Sequence, residues 1–309
     1  MLNVLFAARS ERWSEYEAPL KTAFAEAGFS VNLAPEMAPE VVDYIVYAPN
    51  STVQDFTPFT RLKGVLNLWA GVEAIAGNPT LKVPLARMTD EGMVEGMADY
   101  ITAHVMRYHV GLDAHVVNPG RVWDDTPPPL ARDRTVTFLG VGALGSACAT
   151  AVSGLGFQVL GWSRTLKVIP GITCFAGPQG LIEVLQRAEI VVLLLPLTAQ
   201  TENTLNAETL ALLPKGARII NAGRGPLIDD EALLDALDSG QVAHATLDVF
   251  REEPLPKDHP YWAHPSVTVT PHVASTTRPD LASRRIVENI VLYERGEPMY
   301  DVVDPGAGY

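Results

Sequence analysis

The sequence predicts an α/β protein built from two doubly wound parallel sheets, each layered with helices. Three observations predict it. Short apolar runs alternate with amphipathic segments over residues 1–102, and the alternation recurs more clearly over 135–271. Between them lies a polar, proline-rich loop, WDDTPPPLARDR (123–134), of the kind that joins domains. At 309 residues the chain is too long for one small core.

In the first stretch LNVLFAA (2–8), FSVNL (29–33), DYIVYAP (43–49) and GVLNL (64–68) read as strands. Between the first two, Tyr16, Leu20, Phe24 and Ala27 recur at helical spacing, so the strands are joined by crossovers and pair parallel. The opening MLNVLFAARSERW has no basic region before its apolar run and reads as a first strand, not a signal peptide. Residues 93–112 place Met93, Met97, Tyr100, Ile101, His104, Val105 and Tyr108 on one helical face. That face suits either a core or a subunit contact.

In the second stretch the strands are TVTFLG (135–140), FQVLG (157–161), EIVVLLLP (189–196), ARIINA (217–222), VAHATLDVF (242–250) and SVTVTP (266–271). Near-continuous apolar strands are those of a sheet buried on both faces. Helices are expected at 143–155 and 229–238. The latter opens on Asp229, Asp230 and Glu231 and stops at Gly240, matching the helix dipole and a glycine cap. A last amphipathic helix, 279–294, carries Leu281, Ile286 and Ile290 and can return the chain to the first domain.

Composition excludes several functions. Apolar residues make up 47% and charged residues 19%, as in a globular protein. The net charge of −13 argues against nucleic acid as the main partner. The longest apolar run, IVVLLLPL (190–197), is too short to span a bilayer. Cys148 and Cys174 form no disulfide framework and sit in no metal-binding pattern, so no metal is expected and the cytoplasm is the expected location.

FLGVGALGSACA (138–149) holds Gly140, Gly142 and Gly145 in the G-x-G-x-x-G pattern, after a strand and opening a helix. Gly140 permits the tight turn, Gly142 lets a pyrophosphate reach the backbone, and Gly145 lets helix and strand pack closely. The helix N-terminus offers unpaired N–H groups to the phosphates. About 20 residues further on, such folds place an acidic residue on the ribose of NAD. Here the second strand runs into GWSRT, with Ser163, Arg164, Thr165 and, nearby, Lys167. A carboxylate would repel a 2′-phosphate, whereas Ser163 and Arg164 can bind one, so NADP(H) is the expected cofactor and NAD(H) the second candidate.

Three further stretches follow strands. LNLWAGVEAI (66–75) turns through Gly71 and is either an anion-binding backbone nest or an ordinary strand-to-helix turn. NAGRGPLID (221–229) sets Arg224 between glycines, as a carboxylate binder or as a loop arginine ion-paired to a neighbour. DVFREEPLP (248–256) and TVTPHVAST (268–276) bring Asp248, Glu252, Glu253 and His272 past strands of one sheet, where a carboxylate and the histidine can form an acid/base pair. The histidines at 104, 109, 115, 244, 259 and 264 read as structural or surface residues.

In GVGALG, NAGRG, LDVFREEPLP and TPHVA, in that order, the chain resembles the D-isomer-specific 2-hydroxyacid dehydrogenases, and within them the glyoxylate/hydroxypyruvate reductase A group, which also carries Trp-Ser-Arg after the second strand. The resemblance implies a Rossmann cofactor domain (103–280) inserted into a flavodoxin-like substrate domain (1–102 with 281–309), in a homodimer. It implies that Arg224 binds the substrate, that His272 is the acid/base paired with Glu253, and that Glu252 is a bystander. The backbone at Ala70, Gly71 and Val72 would hold the substrate carboxylate, beside Trp69, where many relatives carry a small residue. Asp248 would bind the nicotinamide carboxamide. The expected cofactor-binding set is completed by Ala143, Leu144, Pro196, Leu197, Ala222 and Gly223. The implied reaction is NADPH-dependent reduction of a small 2-oxoacid. The alternatives are another 2-hydroxyacid substrate or a dinucleotide-sensing binding protein of the corepressor type.

Overall fold

All the strand pairs in the two sheets are parallel, so each strand needs a crossover to reach the next and both sheet faces need cover. The computed structural model describes residues 1–116 and 118–304. These divide into one compact unit of Met1–Met93 with the stretch from Thr277, and a second of Val94–Thr276.

The first unit holds β1 (Leu2–Ala7), α1 (Trp13–Glu26), β2 (Val31–Ala34), β3 (Tyr44–Tyr47), β4 (Gly64–Asn67) and β5 (Leu85–Ala86). Its strand order is β2-β1-β3-β4-β5, that of flavodoxin-like sheets. Helix α1 buries Tyr16, Leu20 and Phe24, as their spacing predicts, but it ends at Glu26 and leaves Ala27 as an exposed cap. The Phe6 ring of β1 packs 5.4 Å from Trp13 and 5.5 Å from Tyr16. The last helix of the chain, α8 (Pro279–Glu294), packs on α1 and buries Ile286 and Ile290, so the chain does return to this unit. Strand β5 is missing from the sequence reading. Two residues after a proline carry no periodicity to read.

The second unit begins within α2 (Glu91–His109), followed by α3 (Asp113–Val116). Its sheet comprises β6 (Thr135–Leu139), β7 (Gln158–Ser163), β8 (Thr173–Ala176), β9 (Ile190–Leu193), β10 (Ala217–Asn221), β11 (Val242–Leu247) and β12 (Val267–Val269). The connecting helices are α4 (Ala143–Gly154), α5 (Gly177–Leu185), α6 (Ala207–Ala211) and α7 (Asp230–Asp238). The order β12-β11-β10-β9-β6-β7-β8 reverses direction between β6 and β9. The carboxyl ends of those two strands therefore frame the switch point at which such sheets bind ligands.

Three details differ from the sequence reading. The edge strand β8 is an addition: Thr173 is exposed and the other three residues are only half-buried. Strand β7 extends through Ser163, and β11 stops at Leu247, which leaves Asp248 as the first loop residue. The apolar face of α2 is core: Met97, Ile101, Val105 and Tyr108 pack into one cluster with Val136, Phe138 and Val159, so it offers no subunit contact. Helix α7 is capped as expected. Asp229 accepts the Ala232 N–H at 3.0 Å, and Gly240, at φ +71°, lies just past the end. Among the described residues no helix is long and apolar enough to cross a membrane.

Candidate active site

The glycine turn after β6 separates two kinds of constraint. Gly140 has φ +104°, and a Cβ there would lie 2.6 Å from the Leu194 carbonyl. A Cβ at Gly145 would lie 1.9 Å from Gly140 O. Both positions must be glycine for the chain's own packing. A Cβ at Gly142 would meet no atom within 4 Å. Gly142 is exposed and caps α4, and no side chain accepts the first-turn N–H groups there. Open space over uncapped N–H groups, flanked by Ala143 and Leu144, fits the pyrophosphate of a dinucleotide.

The Gly140 N–H donates to Trp162 O at 2.9 Å, which sets the end of β7 beside this turn. Ser163 and Arg164 therefore leave the sheet next to the glycine turn. The Ser163 hydroxyl donates to Thr165 O at 2.8 Å and bends the loop. Arg164, Thr165 and Lys167 are exposed, and residues 159–168 carry no carboxylate. Past β9, Pro196 and Leu197 are half-buried, and Thr201 Oγ1 donates to Pro196 O at 2.7 Å.

Arg224 follows β10 on a turn closed by Asn221. The buried Asn221 amide donates to Arg224 O at 2.9 Å and accepts the Gly223 N–H at 3.1 Å. Ala222 and Gly223 are buried beneath it, and Arg224 Nη1 donates to Gly223 O at 2.7 Å. In the first unit a similar device shapes the loop after β4. The Asn67 amide donates to Trp69 O at 2.8 Å and Gly71 O at 2.9 Å. Turns rather than a helix follow at 73–77. Ala70 and Gly71 are half-buried, Val72 is buried, and Trp69 is exposed.

His272 and Glu253 meet directly, with His272 Nδ1 2.7 Å from Glu253 Oε2. The other carboxylate oxygen, Oε1, accepts the Phe250 N–H at 2.9 Å. His272 has φ +52°, a left-handed conformation that costs a non-glycine residue on the order of 1–3 kcal/mol. Its surroundings enforce it. The His272 N–H donates to Asp248 O at 2.9 Å, while the Asp248 carboxylate accepts the N–H groups of Val273 and Ala274, both at 2.9 Å. Thr270 Oγ1 donates to Asp248 Oδ1 at 2.6 Å, so Tyr100 OH, 2.7 Å away, must donate to Thr270. Three of the four acceptor positions of Asp248 are thus occupied from within. Glu252 is exposed.

The electrostatics follow from these contacts. The hydrogen bond to Glu253 raises the His272 pKa, aided by the charges of Glu253 and Asp248, while burial and the Arg224 guanidinium oppose it. Burial pushes the Glu253 carboxyl up, but bonds from His272 and Phe250, with the nearby positive charges, outweigh it and hold the carboxyl below its ordinary value. Of the other histidines, His244 is pushed down to about 4 by burial, and the His104 ring lies tilted with its centre 4.5 Å from that of Tyr100. His259 and His264 accept backbone N–H groups in their own turns.

The sequence reading passed over Asn67, Asn221, Thr270 and Tyr100. Asn221 stands inside a quoted motif and Tyr100 on a quoted helical face, but nothing in their spacing shows a hydrogen-bond partner.

Residues 101–274 match the family model described as D-isomer specific 2-hydroxyacid dehydrogenase, NAD binding domain. The chain is 41% identical over 257 residues to a glyoxylate/hydroxypyruvate reductase A of Yersinia enterocolitica, covering 81% of this chain and 82% of that one. The chain belongs to the D-isomer-specific 2-hydroxyacid dehydrogenase family. Both units take part in the likeness. A D-isomer specific 2-hydroxyacid dehydrogenase from Xanthobacter autotrophicus Py2, solved in complex with NADPH and MES, is 40% identical with a TM-score of 0.92, over 100% of this chain and 99% of that one. An NADPH-dependent glyoxylate/hydroxypyruvate reductase from Sinorhizobium meliloti, in complex with NADP and sulfate, is 32% identical with a TM-score of 0.88, over 100% of each chain.

In this family member the pair's contribution to stability has a defined pH window. The share from Glu253 is present above its ordinary value of 4.5 and is lost as pH falls through the lowered one. The share from His272 is present below its ordinary value of 6.5 and is lost as pH rises through the raised one. Glu253→Gln should therefore lower unfolding free energy most between pH 4.5 and 6.5. It should also move the His272 titration midpoint, followed by NMR, down from its raised position. A midpoint unchanged in the variant would show that the contact does not set the imidazole's charge.

Proposed function

We propose that the protein reduces small 2-oxoacids with NADPH, among them glyoxylate to glycolate and hydroxypyruvate to D-glycerate. The observation that carries this reading is the 2.7 Å His272–Glu253 pair, within electrostatic reach of Arg224, in the unit whose glycine turn fits a dinucleotide. Support also comes from relatives named glyoxylate/hydroxypyruvate reductase A and from similar structures that hold NADPH or NADP.

Arg224 binds the substrate carboxylate and carbonyl oxygen. The family resemblance gives the backbone N–H groups of Ala70, Gly71 and Val72, beside Trp69 in the first unit, the role of carboxylate donors. When bound, the nicotinamide supplies a hydride to the keto carbon. Negative charge then grows on the keto oxygen, and Arg224 stabilises it. His272 has Nδ1 committed to Glu253, so Nε2–H is the proton it gives to that oxygen, and Glu253 keeps the imidazole charged beforehand. The product is the 2-hydroxyacid. Ala143 and Leu144 hold the pyrophosphate at the head of α4, and Ser163 and Arg164, with Thr165 and Lys167, take the 2′-phosphate. Pro196, Leu197, Ala222, Gly223 and the remaining acceptor position of Asp248 serve the nicotinamide end.

The reading includes a homodimer in the cytoplasm. Support for the dimer is that five apolar side chains within residues 112–130, Leu112, Val116, Val122, Trp123 and Leu130, are exposed, Trp123 to 91%, and a subunit contact would take that apolar surface out of water.

His272→Ala should lower kcat about 10²–10⁴-fold with glyoxylate while NADPH still binds; near-normal turnover would remove the acid role. A binding protein of the corepressor type would bind NADPH without consuming it. Arg164→Ala removes a charged partner worth about 1.5–3 kcal/mol, so NADPH should bind roughly 10–150-fold more weakly and NADH nearly as before. Equal losses for both cofactors would sink the phosphate site. Trp123→Ser should shift sedimentation toward the monomer, and a variant as dimeric as the parent would place the contact elsewhere.

A further inference from the structure

We infer that Arg251 is a positioning residue that, with Gly225, fixes the Glu253 loop against the Arg224 turn and so holds Glu253 on His272. The inference rests on His272 being the proton donor. The Arg251 guanidinium reaches two separate stretches of chain, 202–203 and 228–230. Its Nη2 donates to Ile228 O at 2.7 Å, where the Arg224 turn ends, and to Asn203 Oδ1. Its Nε lies 3.4 Å from Asp230 Oδ2 in the first turn of α7, and its Nη1 lies 3.6 Å from Glu202 Oε1. A planar fork of five donors can serve such partners together, which a point charge cannot.

Gly225 makes the opposite side of the clamp. A Cβ there would lie 2.0 Å from Phe250 C and 2.4 Å from Arg251 N, so the 250–251 backbone lies directly on the bare face of the residue after Arg224. From that backbone the Phe250 N–H holds Glu253 Oε1, and Glu253 Oε2 holds His272. Displacement of the loop is thereby passed to the imidazole through two hydrogen bonds. Arg251 touches neither His272 nor Arg224 in this chain of contacts. Its effect on them runs through the backbone it anchors.

The test compares the pH dependence of kcat for glyoxylate reduction, and the His272 NMR titration, in the parent, Glu253→Gln, Arg251→Ala, Arg251→Lys and Gly225→Ala, with melting temperatures taken alongside. Reduction needs the protonated imidazole, so weakening Glu253's hold moves the high-pH limb down. Glu253→Gln should do this directly. Arg251→Ala and Gly225→Ala should move limb and titration the same way by about half a pH unit or more, and Arg251→Lys by less. Arg251→Lys keeps a charge at the site and carries the test should Arg251→Ala fold poorly. If Glu253→Gln moves the limb while both Arg251 variants leave it in place, Arg251 is a structural tie only, whatever happens to the melting temperature, and the inference is overturned. If Glu253→Gln itself leaves the limb unmoved, the acid/base reading of the pair fails first and takes the inference with it.

Discussion

Asp248 sits where β11 ends, and both its backbone and its carboxylate are spent on neighbouring loops. Its N–H donates to Asn221 O, at the foot of the Arg224 turn, and its carbonyl accepts the His272 N–H. Its buried carboxylate takes Thr270 Oγ1 and the N–H groups of Val273 and Ala274. Burying a carboxylate is unfavourable unless its lone pairs are satisfied, and satisfying them here requires the 270–274 segment to take one path. That path includes the left-handed backbone of His272. The strain at the histidine and the three bonds held by the aspartate carboxylate are two sides of one constraint, and the placement of His272 toward Glu253 follows from it.

A second tension is electrostatic. Arg224 suits an anionic substrate, but its charge disfavours the protonated His272, as does the partial burial of the ring. Glu253 reverses the balance at contact distance, where one hydrogen-bonded ion pair outweighs a more distant like charge. The carboxylate is itself steadied by Phe250 N–H. A guanidinium and an imidazolium can therefore share the carboxyl end of one sheet. The overall charge of −13 does not supply this balance, because exposed charges beyond about 10 Å are largely screened.

The fold was legible where burial is continuous. The four-residue cores of β3, β4 and β9 are wholly buried and read as apolar runs, and the three glycines after β6 stood in a recognisable order. It was illegible where a strand is very short, as in the two-residue β5, or half-covered at an edge, as in β8, since neither carries a period to read. The face of α2 was ambiguous for a different reason: a buried stripe and a subunit contact look alike in sequence, and only the neighbours Val136, Phe138 and Val159 decide. At the site, the residues that carry charge announced themselves at strand ends. The residues that hold them did not. Asn67, Asn221 and Thr270 act through one or two hydrogen bonds to backbone or carboxylate, and Glu253 meets His272 across 19 residues of chain. Spacing alone could not choose Glu253 over Glu252; the family resemblance did.

The three glycines of the phosphate cradle are not equivalent, and the difference bears on how the site is read. Gly140 and Gly145 answer to the protein's own backbone, so any sequence folding this way needs them. Gly142 answers to nothing in the chain, yet lies at the uncapped head of α4. A residue left bare where the fold has room for a side chain is explained by something that comes from outside, and uncapped N–H groups favour an anion. The adjoining strand end bears on which dinucleotide. Hydrogen bonding of Gly140 to Trp162 sets Ser163 and Arg164 beside the cradle, and no carboxylate stands in residues 159–168 to repel a second phosphate. Where such folds carry an NAD-selecting acid, this strand end carries a cation, so on the proposed reading the choice of cofactor is a matter of charge at one strand end rather than of fold.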